Sequence, residues 1–335
     1  MSPACRKPVA RESGGSLVFA AGMKVLSIDG GGIRGVIPAL VLGEIERRTG
    51  RRTAELFDLI AGTSTGAILA CALSRRGEDG GPAHSAEELA ELYLTEGPKI
   101  FDRSLLKQVS SLGGLIDERY DDEGLNTALA TYLGTARLKE VLADVLVTAY
   151  DISDRFAFFF RSSRARTDES YDFSLVDAAR ASSAAPTYFE PIEVTDAAGA
   201  RTYPLIDGGI YAVNPAMCAY TEVVAGGGEL EVLASLGTGS HSRRYDIADV
   251  RGWGQIEWAR PLIDMVFDGV ADTIDYEAAT LAGERYRRFQ AELRYASDAL
   301  DDASEGNLRR LQGDAERLIA ERTADIETLC EEIAG

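Results

Sequence analysis

A serine between two glycines, in the segment Gly-Thr-Ser-Thr-Gly at 62–66, constrains the fold of this 335-residue chain more than any other feature. One apolar run precedes the segment and a second follows it, which predicts a strand, a tight turn and a helix. Gly62 and Gly66 would let the neighbouring backbone pass closely, while the hydroxyl of Ser64 projects at the helix N-terminus. The sequence therefore predicts a nucleophilic serine on a strained turn.

A second glycine-rich turn follows the first predicted strand. Gly30, Gly32 and Gly35 satisfy the pattern G-x-G-x-x-G, so a dinucleotide-binding loop is one interpretation. Asp29 argues against it, because its carboxylate would stand beside the bound phosphates. The other interpretation is that backbone N–H groups of this loop hold a developing oxyanion, with Arg34 adding positive charge.

An acyl-transfer serine needs a base, and the chain has only two histidines. His84 lies in a predicted surface loop, and His241 follows a glycine turn after a predicted strand. The order Ser64, Asp207, His241 would suit a triad hydrolase, so this alternative stays open. Asp207 is the favoured base, because it ends a predicted strand beside two glycines, where a carboxylate can approach a serine. Its plain structural alternative is a turn-forming aspartate before glycine.

Three glycine-rich motifs together resemble the signatures of the patatin-like phospholipases. The motifs that carry the resemblance lie at 29–35, 62–66 and 207–209. The segments at 181–189 and 235–239 agree with it, and the likeness extends from about residue 23 to residue 319. On these motifs the chain is similar to bacterial lipid acyl hydrolases of this family.

The resemblance implies a role for each matched residue. Ser64 is the expected nucleophile and Asp207 its partner in a Ser-Asp dyad that works through an acyl-enzyme intermediate. The oxyanion site is expected to combine the Arg34 side chain with the backbone of Gly30, Gly31 and Gly32. For Asp207 to act as a base at neutral pH it must be partly desolvated, because burial raises the pKa of a carboxyl group. Neither a metal nor a cofactor is expected.

Alternating strand and helix signals predict an α/β fold, a three-layer α/β/α sandwich with a mostly parallel central sheet. The predicted strands lie at 25–28, 56–61, 145–149, 157–160, 203–206 and 230–236. Residues 23–335 are expected to form a single catalytic domain, and residues 1–22 a disordered extension. The four cysteines show no spacing typical of a metal or redox site.

The formal net charge of −19 argues against a nucleic-acid polymer as partner, and it also opposes binding to anionic membranes. A basic amphipathic stretch at 99–116 offers local compensation, because Phe101, Leu105 and Val109 recur at helical spacing beside basic residues. Its alternative is a cap helix packed on the sheet. With no apolar run long enough to cross a membrane, the expected location is cytoplasmic, peripheral at the inner membrane surface when active.

These observations predict a serine acyl hydrolase that cleaves fatty-acyl esters of phospholipids or lysophospholipids. A protein of another class is the alternative, namely a catalytically weak lipid-binding or storage protein on the same fold. A third hypothesis is a gated effector, because similar bacterial phospholipases serve in antiphage systems activated by cyclic nucleotides. A small nucleotide would then be the activator, although no motif of the chain indicates a site for it.

Overall fold

The computed structural model describes residues 22–101, 120, 122–240 and 245–335. The strands β1 to β8 are Met23–Ile28, Leu59–Gly62, Asp144–Asp151, Phe156–Arg161, Ile192–Thr195, Thr202–Asp207, Leu230–Leu236 and Tyr286–Phe289. The longer helices, α1 to α9, are Val36–Thr49, Thr65–Ser74, Ala86–Thr95, Asp122–Leu133, Leu175–Ser182, Ala216–Ala225, Gln255–Ala282, Glu305–Glu321 and Thr323–Ala334. Short helical turns are Gly32–Gly35, Thr53–Leu56, Gly97–Ile100, Leu138–Glu140, Ser162–Ala165, Glu169–Tyr171, Gly209–Ala212, Ile247–Val250 and Gly283–Arg285.

The strands form one sheet in the order β5-β6-β3-β2-β1-β7-β8, and β4 also pairs with β3. The five neighbours from β3 to β8 in this order run parallel to one another. Strands β4 and β6 pair antiparallel with β3, and β5 pairs antiparallel with β6. The predicted α/β fold with a mostly parallel central sheet is therefore confirmed.

Alternating side chains of β1 reach two separate cores on the two faces of the sheet. Leu26 and Ile28 belong to the larger core, which includes apolar residues of α1, α2 and α5. Val25 belongs to the smaller core, together with Ala219 of α6 and Ala278 of α7. Both cores exclude water, and complete burial of each leucine, isoleucine or valine contributes roughly 1.5–3 kcal/mol. Helices thus cover both faces, as the three-layer prediction requires.

The sequence-based strand assignment differs from the structure in three places. Strand β5 was not predicted because it is a short edge strand with exposed side chains, and β8 was not predicted because it carries arginines. The predicted strand at 56–61 begins too early, since β2 starts at Leu59 and the preceding residues form a helical turn. The buried carboxylate of Glu46 holds that turn by accepting hydrogen bonds from the N–H and hydroxyl groups of Thr53, at 2.9 and 2.7 Å.

A buried ion pair fixes the end of β1, where the glycine loop begins. Asp29 is 2% exposed and accepts two hydrogen bonds, of 2.6 and 3.0 Å, from the guanidinium of Arg288 in β8. Arg288 also donates to the hydroxyl of Ser235 in β7 at 2.8 Å. The ion pair between Asp29 and Arg288 therefore links the ends of β1, β7 and β8 next to the glycine loop.

We expect Arg288→Met to lower the free energy of unfolding by about 3–5 kcal/mol, because it leaves the Asp29 carboxylate buried without its partner charge. Arg287→Met is the matched control on the same strand. It removes a partly exposed ion pair with Glu332 and should cost less than about 1 kcal/mol. Urea unfolding measures both variants, and equal losses would contradict a special role for the buried pair.

Candidate active site

Strand register brings Ser64 and Asp207 to the same level of the sheet. Gly62, at the end of β2, pairs with Val147 of β3. Two residues further along β3, Ala149 pairs with Asp207 at the end of β6. Ser64 is itself two residues beyond Gly62. The serine and the aspartate therefore lie at the same end of the central strands. Both line the same cleft.

The backbone at Ser64 is held in an unusual conformation, with φ 55° and ψ −122°. Residues other than glycine seldom adopt a positive φ, which stores strain at this position. Close backbone contacts enforce it, because a side chain on Gly62 would overlap the Gly66 carbonyl and one on Gly66 would overlap the Ile28 carbonyl. The strand, tight turn and helix predicted around Ser64 are all present.

Ser182 is a supporting residue that the sequence analysis missed. Its hydroxyl oxygen accepts a hydrogen bond of 2.8 Å from the backbone N–H of Ser64, and it is fully buried at the end of α5. Ser183 lines the cleft, and its buried hydroxyl has no hydrogen-bond partner in the described part of the chain. The segment at 181–189 was noted only for its resemblance, and nothing local distinguishes the two serines.

Burial raises the pKa of Asp207 to about 7. The backbone N–H of Gly209, which donates to Oδ1 at 2.7 Å, and the side chain of Ser64 oppose part of that rise. Oδ2 is buried and has no hydrogen bond of good geometry to any described residue. The effect of the Ser64 side chain on the pKa places the serine close to the carboxyl group. A carboxyl group that is half ionised near neutral pH can accept a proton there.

The glycine loop presents two free donors to the cleft. Within the described residues, the N–H groups of Gly31 and Gly32 have no protein acceptor, and both glycines line the cleft beside Ser64. The N–H of Gly30 is already used, because it donates to the Val213 carbonyl at 2.9 Å. Of the three glycines expected at the oxyanion site, Gly31 and Gly32 keep an N–H group without an acceptor among the described residues, and the oxyanion role itself stays a prediction.

Arg34 does not line the cleft. Its Nε donates to the carbonyl of Gly31 at 3.4 Å, so the side chain turns back on the loop that precedes it. The structure thus places the Arg34 side chain against the glycine loop, and its role at the oxyanion site stays a prediction.

The cleft is partly open to solvent, and its wall is mainly apolar. Apolar residues of this wall include Ile68, Leu92, Phe101, Phe189, Phe267 and Leu300. A wall of this composition suits a hydrophobic ligand with one polar reacting group. Phe101 packs edge-on against Tyr120 with ring centroids 5.3 Å apart, whereas Leu105 and Val109 lie outside the described residues.

The two histidines give no base in the described part of the cleft. Nε2 of His84 lies 2.8 Å from the Tyr132 carbonyl oxygen, and the residue does not line the cleft. His241 lies outside the described residues. Asp207 is the only carboxylate among the described residues that line the cleft. Across the same residues, no group of three or more histidine, cysteine or acidic side chains could hold a metal ion.

Comparison with known proteins identifies the family. A family model described as patatin-like phospholipase matches residues 26–220, which include Ser64, Asp207 and the glycine loop. The chain belongs to the patatin-like phospholipase family. Membership indicates lipid acyl hydrolase activity, which is general in this family. None of the described helices combines the length and the apolar composition that a membrane crossing requires.

Plant proteins of the patatin-like family align over most of the chain. Patatin-like protein 2 of Arabidopsis thaliana is 35% identical over 308 residues, which cover 81% of this chain and 74% of the relative. Patatin-like protein 4 of the same plant is 31% identical over 331 residues, covering 88% and 82%. A Solanum tuberosum relative named probable inactive patatin-3-Kuras 1 is 30% identical over 334 residues, covering 90% and 87%.

Among solved structures, VipD from Legionella pneumophila covers 89% of this chain and 67% of its own, with a TM-score of 0.35 and 12% identity. That likeness is too weak for a comparison of the two sites. The sequence relatives named above are plant proteins, so the bacterial affiliation expected from the sequence stays a prediction.

We expect Ser182→Ala to lower the free energy of unfolding by about 0.5–1.5 kcal/mol, because the partly buried N–H of Ser64 loses its acceptor. The variant should also lower kcat on p-nitrophenyl butyrate by about tenfold or more, since a small displacement of a nucleophile is costly. Ser183→Ala is the stability control, because its hydroxyl has no partner to lose. Thermal and urea unfolding test the first point, and similar losses in both variants would contradict it.

Proposed function

We propose that the protein is a serine acyl hydrolase that cleaves fatty-acyl ester bonds of phospholipids or lysophospholipids through a Ser-Asp dyad. The observation that carries this proposal is the strained Ser64 in the same cleft as the fully buried Asp207, whose pKa is about 7. An ordinary aspartate is almost fully ionised and weakly basic at neutral pH. The apolar wall of the cleft supports a fatty-acyl chain as the group bound beside the serine.

The reaction runs in two steps that use the same groups. In the first, Asp207 takes the proton of the Ser64 hydroxyl while Oγ attacks the ester carbonyl, and the N–H groups of Gly31 and Gly32 stabilise the oxyanion. Collapse of this intermediate expels the alcohol, which receives the proton from Asp207. In the second step a water attacks the acyl-enzyme, Asp207 takes its proton, and the fatty acid leaves as Ser64 regains a proton.

Two further hypotheses concern the biological role of the protein. One is a catalytically weak lipid-binding or storage protein on this fold, and the relative named probable inactive supports it. The other is an antiphage effector gated by a cyclic nucleotide, which rests on the resemblance to bacterial phospholipases. Hydrolysis of mixed lipids with and without cyclic nucleotides separates them, because a storage protein stays inactive in both. Peripheral membrane binding from the cytoplasm belongs to the same proposal.

We expect a fluorophosphonate probe to label Ser64 covalently and to leave Ser64→Ala unlabelled, as mass spectrometry of the adduct would show. Asp207→Asn should keep the fold and lose at least about a hundredfold in turnover, which is the usual effect of removing a general base. His84→Ala is the control and should keep full activity. A labelled serine elsewhere, or an active Asp207→Asn, would overturn the dyad.

The raised pKa of Asp207 predicts a pH profile. Only the ionised carboxylate can accept the serine proton, so kcat/KM should rise with pH, level off above about pH 7 and fall about tenfold per unit below it. Stability should run the other way. Because the folded pKa exceeds the unfolded value of 3.8, Asp207 loses its contribution to stability as the pH rises from about 4 through 7.

Asp207→Asn tests the stability half of that prediction, because it cannot titrate. Above pH 7 this variant should be more stable to urea than the parent protein, and the difference should shrink as the pH falls. A parent protein whose activity is flat between pH 5 and pH 8 would contradict the assignment of Asp207 as the base.

A further inference from the structure

An exposed apolar stripe runs along the first half of α7. Trp258, Leu262 and Val266 follow one another at intervals of four residues, so they share one face of the helix. Leu262 is 51% exposed and Val266 39% exposed. Before the helix, the Trp253 ring lies 5.1 Å from that of Trp258 and 5.5 Å from that of Tyr245. These five residues are called the α7 stripe below.

The α7 stripe lies next, along the same helix, to a residue that lines the cleft. Phe267 follows Val266 in the helix and is part of the cleft wall. Its ring also limits the space at Gly209, where an added Cβ would stand 3.0 Å from Cζ of Phe267. Gly209 is two residues beyond Asp207 and donates its N–H to that carboxyl group. One helix therefore presents an exposed apolar surface and, one residue away, a wall of the catalytic cleft.

The chemistry of the α7 stripe points to lipid rather than to a protein copy. Tryptophan and tyrosine combine an apolar ring with a polar group and favour the boundary between lipid and water. A second copy of a chain with a net charge of −19 would meet electrostatic repulsion, and so would an anionic membrane. Exposed acidic residues, Glu257 and Asp268, stand beside the stripe. An electrically neutral lipid surface meets none of this repulsion.

We propose that the α7 stripe is the surface with which the protein docks onto a zwitterionic lipid interface, with the cleft beside it open to the bound lipid. The docking proposal rests on the proposed function only for what happens to the lipid after it binds. Vesicle binding itself is measurable without hydrolysis. The α7 stripe is separate from the stretch at 99–116 for which the sequence predicted membrane contact. Residues 102–119 lie outside the described part of the chain.

The native fluorescence of the protein reports on this surface directly. The chain has two tryptophans, Trp253 and Trp258, and both belong to the α7 stripe. Phosphatidylcholine vesicles should shift their emission to the blue, and vesicles with brominated acyl chains should quench it, because the rings move from water into the interface. Phosphatidylglycerol vesicles should give a weaker response. The inactive variant Ser64→Ala should respond like the parent protein.

A matched pair of double variants tests the position of the surface. Leu262→Ser with Val266→Ser should weaken vesicle binding by about tenfold or more, since two exposed aliphatic side chains no longer enter the lipid. Tyr276→Ser with Leu281→Ser changes the same helix at positions that are 73% and 56% exposed and lie outside the stripe. This control should change binding less than twofold. Both double variants should keep turnover of p-nitrophenyl butyrate.

Several results would overturn the docking proposal. The first is an emission spectrum that vesicles do not change, and the second is an equal loss of vesicle binding in the two double variants. The third is stronger binding to phosphatidylglycerol than to phosphatidylcholine. The fourth is a blue shift that grows with protein concentration in the absence of lipid, which would indicate self-association. Failure of the hydrolase proposal gives a different pattern. In that case no ester would be cleaved, while phosphatidylcholine vesicles would still shift the emission of the parent protein and of Ser64→Ala.

Discussion

The close approach of backbone atoms around Gly66 is the constraint on which the rest of the site depends. At this point the first turn of α2 lies against the carbonyl group that ends β1, with no room for a side chain between them. The contact holds Ser64 at φ 55° and sets it beside the loop that follows β1. The Ser64 hydroxyl, which we propose as the nucleophile, and the N–H groups of Gly31 and Gly32 are therefore positioned against each other by main chain, whose geometry varies less than that of side chains.

Two buried aspartates at this edge of the sheet illustrate how surroundings decide a role. Burial raises the pKa of Asp29, but the charge and the two hydrogen bonds of the Arg288 guanidinium oppose that rise, and the pair serves as a structural contact. Asp207 receives one backbone N–H, and no cation pairs with it among the described residues. Burial therefore raises the pKa of Asp207 into the working range at the expense of stability at neutral pH. The same residue type acts as an anchor in one place and is suited to proton transfer in the other.

Local patterns in the sequence predicted the parallel core of the sheet and the turn around Ser64, and the structure brings Ser64, Asp207 and the glycine loop into one cleft. These features depend on residues adjacent in the chain, or on strands with strong apolar signals. The sequence did not predict the other residues that complete the site. Ser182 and Phe267 come from distant segments, and the strand that carries Arg288 is too polar for its type to be recognised. The hydrogen bond from the Gly30 N–H to the Val213 carbonyl likewise depends on tertiary packing. Local sequence patterns carry no information about such contacts.

The last third of the chain completes a site whose three signature motifs all precede residue 210. Thr238, after β7, donates its hydroxyl to the Gly30 carbonyl at 2.8 Å and fills the space beside Gly31, so that any side chain there would overlap it. The Leu300 carbonyl accepts the N–H of Ile33 at 2.9 Å and closes the other end of the loop. Both residues lie beyond the matched range 26–220. A substitution at Gly31 would thus displace the loop as well as alter its N–H group, because the geometry of the Gly31 and Gly32 N–H groups depends on strands and loops that follow Asp207.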